Sequence, residues 1–153
     1  MLGDKSVQIR YRTNQAINSE VQISSDGKTF NRIKRSTQNN TEHLVLIDSL
    51  SASSTYFYRL RLTTTQFIGD STYFFRTAPA IGSQEKFSVW SIGDMWPYAP
   101  YQKNVYEGFK KFIGNKYTNL FMTVGDNVYG GGTDDDFQTN FFQIYQNGPL
   151  LKQ

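Results

Sequence analysis

Two aspartates carry most of the chemistry this sequence can offer. Asp94 closes the run Phe87-Ser88-Val89-Trp90-Ser91-Ile92-Gly93, and Asp126 closes Leu120-Phe121-Met122-Thr123-Val124-Gly125. Each carboxylate is thus delivered at the C-terminal end of an apolar β-type segment, where open α/β sheets hold their ligands. If the two ends are neighbours, they form a hard-oxygen set suited to a metal ion. The pair alone reads more readily as two post-strand turn formers, since Gly-Asp is common in loops. Tyr129 taken alone reads as an aromatic packed over the sheet, and Asn127 either orients a ligand or forms the turn. Gly130-Gly131-Gly132 lacks the Lys-Ser/Thr ending of a phosphate loop and reads as a turn. Asp134 to Asp136 lack the alternating ligand pattern of a calcium loop and read as a helix start. His43 reads as a strand surface residue.

The elements that must position these groups follow from the hydrophobic rhythm. Between the two aspartate strands, Val105, Phe109, Phe112 and Ile113 recur at helical spacing, with Gly114-Asn115 as a stop. A helical crossover makes the strands parallel and puts both aspartates on one sheet edge. Phe137, Phe141, Ile144 and Tyr145 repeat the helical pattern behind Thr133-Asp134-Asp135-Asp136, which supplies a cap and an acidic first turn. The order from Lys86 onward is therefore β-α-β-α, the opening of an α/β layer. Two parallel strands with two helices cannot cover both faces of such a sheet. The second half is therefore expected to be the front part of a larger catalytic domain.

Upstream the rhythm is all-β. Val7, Ile9 and Tyr11 alternate with polar residues, as do Val21 and Ile23, then Leu44 and Leu46 or their offset partners Val45 and Ile47. Ser25-Asp26-Gly27-Lys28 is a hairpin signal. Tyr56, Tyr58, Leu60 and Leu62 face one way, and a last strand runs through Tyr73 to Arg76. Short strands at this spacing predict an antiparallel sandwich. The domain reading is residues 1–79 as the sandwich, 80–85 as linker and 86–153 as the start of the α/β domain.

Composition excludes several classes. The absence of cysteine removes disulfides and thiolate metal sites. The net charge of +3 is mild, with 10 Lys+Arg against 7 Asp+Glu in residues 1–85 and 6 against 6 in 86–153. No basic stripe emerges, so nucleic acid is not an expected partner. No stretch approaches the roughly 20 apolar residues of a membrane span. The N-terminus has no apolar signal region as given.

The second half resembles the dinuclear metallophosphoesterases, and specifically the purple acid phosphatase branch. Ile92-Gly93-Asp94 followed by Gln102-Lys103-Asn104-Val105 looks like that family's first motif and helix, and Gly125-Asp126-Asn127-Val128-Tyr129 matches its Gly-Asp-x-x-Tyr motif. Phe137 to Phe142 and Pro149 to Lys152 resemble the segment leading to a third, Gly-Asn-His motif. The first half resembles the fibronectin type III-like domain of this branch, with Leu50 and Tyr56 spaced as a tyrosine corner.

The resemblance implies that Asp94 binds one metal, Asp126 bridges two, and Tyr129 binds the first as a phenolate. The implied cofactors are Fe(III) and a divalent ion such as Fe, Zn or Mn, and the implied reaction is hydrolysis of phosphate monoesters. The Asn and His ligands of the family's later motifs lie outside residues 1–153. One departure stands inside the motif: the family's Asp-x-Gly reads Asp94-Met95-Trp96 here, so Trp96 either crowds the metal loop or lines the substrate cleft. The resemblance also implies a secreted or periplasmic protein; oligomeric state stays open. Two alternatives remain: a phosphodiesterase of the same fold, and a binding module whose metal fold is vestigial.

Overall fold

A computed structural model of the chain describes residues 2–95, 99–146 and 148–151. Contacts divide it into two compact units, with the break between Glu85 and Lys86.

The first unit is antiparallel β. β1 (Val7–Ser24) pairs with β2 (Arg32–Ile47) and with β3 (Thr55–Arg61), which also pairs with β4 (Phe67–Ile68) and β5 (Phe74–Arg76). Gly27, at φ 71°, turns the β1–β2 connection, while the Asp26 carboxylate accepts from the Lys28 and Thr29 amides. Where two stacked sheets were expected, the described strands form one five-stranded sheet, β2-β1-β3-β4 with β5 on β3. The physical reason lies in β1. Its register against β2 shifts between Arg12 and Ile17 and again between Asn18 and Glu20, so the long β1–β2 ribbon bends instead of ending. Val7, Ile9, Val45 and Ile47 from one end of the ribbon share a core with Val21, Ile23, Tyr58, Leu60 and Phe75. Of the two offset readings in β2, Val45 and Ile47 are the core pair, and Leu44 and Leu46 are exposed. The Tyr56 hydroxyl accepts from the Ser51 amide at 3.0 Å, tying the strand back to the preceding turn.

The bend also corrects the reading of His43. It is buried, not on the surface: its ring stacks on Tyr11 at 4.4 Å and its Nε2 lies 2.9 Å from Thr13 Oγ1. Burial holds its imidazole below the ordinary histidine range, partly offset by Glu42.

The second unit begins with β6 (Val89–Ile92), continues through α1 (Ala99–Ile113) to β7 (Leu120–Thr123), and pairs β6 with β7 in parallel. A short helix α2 (Asp134–Phe137), a π-helical segment at Gln138–Phe142, α3 (Gln143–Tyr145) and a 3₁₀ turn at Pro149–Leu151 follow. The α2 start is a capping box between Thr133 and Asp136, as the sequence suggested.

Alternation assigns the two faces of the small sheet. Trp90, Ile92 and Phe121 pack with Tyr106, Phe109, Phe141 and Tyr145. Val89, Leu120 and Met122 on the other face are exposed, as is Val124 just beyond β7.

The buried stripe of α1 differs from expectation. Gln102 and Tyr106 are buried and Phe109 stacks on Trp90 at 3.9 Å, whereas Val105 is 51% and Phe112 86% exposed. The flat indole of Trp90 meets Tyr106 and Phe109 ring to ring, which sets the rotation of the helix.

Candidate metal centre

β6 and β7 are held level by the hydrogen bonds at their start. Ser88 donates from its amide to Asn119 Oδ1 at 2.9 Å and from its hydroxyl to the Tyr117 carbonyl at 2.8 Å. The register then runs Val89↔Leu120 through Ile92↔Thr123, and Val124 N donates to Ile92 O at 3.0 Å. Continued one step further, Gly93 faces Val124, and a Cβ at Gly93 would lie 2.9 Å from the Val124 side chain. A side chain at that position would have to displace the Val124 methyl, so glycine suits the close approach of the two strands. Asp94 and Asp126 therefore leave the sheet together, at its carboxyl edge.

Both aspartates then take the left-handed backbone, Asp94 at φ 49° and Asp126 at φ 48°. Few residues other than glycine adopt it, aspartate and asparagine among them. This turn exposes the two carboxylates and sends the chain after Asp94 back inward. Met95 is 3% exposed, and its amide donates to the Asp126 carbonyl at 2.9 Å, so the two loops are bonded to each other.

Tyr129 completes the group. Its hydroxyl donates to Asp126 Oδ2 at 3.0 Å and lies 3.5 Å from Asp94 Oδ1. Desolvation, followed by the hydrogen bond and charge of Asp126 and the charge of Asp94, pushes the Tyr129 phenol up to about 12. A cation at the same place would reverse that balance, since it stabilises both carboxylates and the phenolate.

Of the residues singled out in the sequence, Asp94, Asp126 and Tyr129 are brought together. Asn127 lies beside them: its side-chain Oδ1 is buried and has no hydrogen-bond partner among the described residues. Trp96 lies outside the described residues. Asp136 accepts from Thr133 N and belongs to the helix cap, and its carboxyl is held below the usual range by that contact and by the Gly131 and Gly132 amides.

The donor set fits a hard metal ion in kind. Three oxygens of two carboxylates and a phenol converge on a solvent-facing edge. Among the described residues no three His, Cys, Asp or Glu side chains cluster, because the third donor here is a phenol. Three donors leave most of the coordination of two ions to other groups. Sequence reasoning missed the left-handed turns and the role of Met95. The available signal was a large apolar residue directly after Gly-Asp, in a segment otherwise expected to be a polar loop.

No protein-family model matches the sequence, and no curated protein matches it. Among solved structures similar to it is one titled "Structure of PhoD". The TM-score is 0.65 and the identity 15%, over 99% of this chain and 35% of that one. The chain thus shares a fold with that structure and spans 35% of its length.

Proposed function

We propose that this chain contributes Asp94, Asp126 and Tyr129 to a dinuclear metal centre that hydrolyses phosphate esters. The observation that carries the reading is the convergence of these three oxygens at the carboxyl edge of the β6–β7 pair. Asp94 would hold the first ion, Asp126 would bridge both, and Tyr129 would hold the first as a phenolate, with the remaining ligands supplied by residues outside 1–153. Bound there, the ions would supply Lewis acidity toward a phosphoryl oxygen.

The chain's own residues would do the rest. The Met95–Asp126 backbone bond fixes the spacing of the two carboxylates. The Tyr129 hydroxyl, bonded to Asp126, would release its proton to solvent if it held an ion as a phenolate. A phenolate donor favours a trivalent iron over a softer ion. The purple acid phosphatase branch, phosphomonoester substrates, a secreted or periplasmic setting and a fibronectin type III-like ancestry for the first unit belong to the same reading. The Gly-Asp-x-x-Tyr motif and the Tyr56–Ser51 bond support it.

Ferric titration of the 153-residue chain tests the assignment. A visible tyrosinate-to-iron absorption is expected, lost in Tyr129→Phe and kept in Tyr101→Phe, whose side chain is exposed on α1. Survival of the band in Tyr129→Phe removes the tyrosine from the site. The isolated chain is expected to show no aryl phosphate hydrolysis above an Asp126→Ala control. Clear turnover would show that three donors suffice.

A further inference from the structure

The loop that presents Asp94 is anchored from below. Three buried side chains from different elements meet under it: Gln102 of α1 at 5% exposure, Tyr145 of α3 at 0% and Met95 at 3%. Gln102 Nε2 donates to the Tyr145 hydroxyl at 3.3 Å, and that hydroxyl donates to Met95 Sδ at 3.4 Å. Tyr145 itself is clamped by the rings of Tyr106 at 5.0 Å, Phe141 at 5.2 Å and Phe121 at 5.5 Å. Such a ring has little freedom, so its hydroxyl is a fixed point.

Met95 is held at both ends: the thioether by Tyr145 and the amide by the Asp126 carbonyl. Between them the chain has no slack, because Asp94 can expose its carboxylate while Met95 points inward only through a reversal of the backbone. The left-handed φ of 49° at Asp94 is that reversal. An unanchored aspartate would return to the more favourable right-handed or extended regions. The carboxylate would then turn away from Tyr129, and the bond between the two loops would break.

We infer that Met95, locked by the Tyr145 hydroxyl, is a positioning residue for the metal centre: it fixes the Asp94 carboxylate against Asp126 and Tyr129 without touching the ion. The inference rests on the metal-binding reading above, but its geometric half stands apart from it. It also explains why a tyrosine and not a phenylalanine occupies position 145. A buried hydroxyl costs stability unless it is bonded, and this one has two partners.

Two readouts on the 153-residue chain separate the possibilities. The first is amide hydrogen exchange at position 95, which reports the bond to the Asp126 carbonyl with no metal present. The second is terbium titration, with luminescence excited through the aromatic residues. Met95→Ala is expected to lose protection at its amide and to bind terbium at least about tenfold more weakly, equivalent to ~1.4 kcal/mol. Met95→Leu, which keeps the volume but loses the sulfur acceptor, should retain part of the amide protection and bind more tightly than Met95→Ala but more weakly than the parent. Tyr145→Phe deletes only the hydroxyl and breaks the same bond, so both readouts should fall between Met95→Ala and the parent. It decides the matter if Met95→Ala does not fold.

Unchanged protection and unchanged terbium affinity in both Met95→Ala and Tyr145→Phe would overturn the inference. Absence of terbium binding by the parent, with exchange behaving as expected, would instead sink the metal assignment and leave the anchoring intact.

Discussion

At the scale of single residues, the two aspartates are held in a backbone conformation that costs free energy. Left-handed geometry is worth roughly 1–2 kcal/mol against an ordinary side chain, less for aspartate and nothing for glycine. The two carboxylates also share one phenol as neighbour, so without a cation they repel. Asp94→Gly and Asp126→Gly are therefore expected to be more stable than the matching alanine variants, by about 1 kcal/mol each. Thermal unfolding of the metal-free chain checks this, and alanine matching glycine at both positions would refute it. The placement of these aspartates was legible in the sequence, because an apolar run ending in Gly-Asp marks the carboxyl end of a strand. The backbone conformation of Asp94 was not, since on the reading above it is held by Met95 meeting Tyr145 fifty positions later. Nothing local encodes that meeting.

At the scale of elements, the last turn of β1 shows why alternation can mislead. Val21 and Ile23 read as one buried face, with Glu20, Gln22 and Ser24 facing water. In the fold all five are buried. Arg35 and Arg61 reach the Glu20 carboxylate, Gln22 bonds it too, and Arg59 bonds Gln22 while lying over Phe30 and Phe67. The polar face is thus covered by long side chains from neighbouring strands. Burial alone would raise the Glu20 carboxyl, but the Gln22, Arg61 and Arg35 contacts outweigh it and hold it at about 2. A depressed carboxylate contributes stability that is fully present above its unfolded value, near 4.5, and is lost as pH falls toward about 2. Glu20→Gln is expected to lower stability by about 1–3 kcal/mol at neutral pH and to flatten the acid limb across that window. Denaturant unfolding at a series of pH values measures both, and an unchanged acid limb would place the sensitivity elsewhere. The hairpin at Gly27 and the Tyr56 tie were legible because they depend on a few adjacent residues. The helix face was misjudged at Val105 and Phe112 because its rotation is decided by the Trp90 ring, which a helical periodicity does not see.

At the scale of the whole molecule, the two units differ in how far they close upon themselves. The first folds its ribbon over a core of its own. The second leaves Val89, Leu120, Met122 and Val124 exposed on one face of a two-stranded parallel sheet. Parallel sheets are normally covered on both faces, and apolar patches left open promote association. Residues 1–85 as a separate chain are expected to stay monomeric and unfold cooperatively. The 153-residue chain should self-associate, less so when Met122 and Val124 are both replaced by lysine. Sedimentation of the three proteins is the measurement. A monomeric 153-residue parent across the whole concentration range would show that this face is not sticky.

The left-handed turns at Asp94 and Asp126 also bear on how such a chain changes over generations. Glycine lies a single base change from aspartate, suits that backbone better and removes a carboxylate from beside another. Where nothing called for the two acids, random mutation would run toward glycine at both places with little to resist it. Aspartate at both is then a state that must be actively maintained, and a decayed, purely adhesive descendant of the fold is the lineage in which it should disappear first.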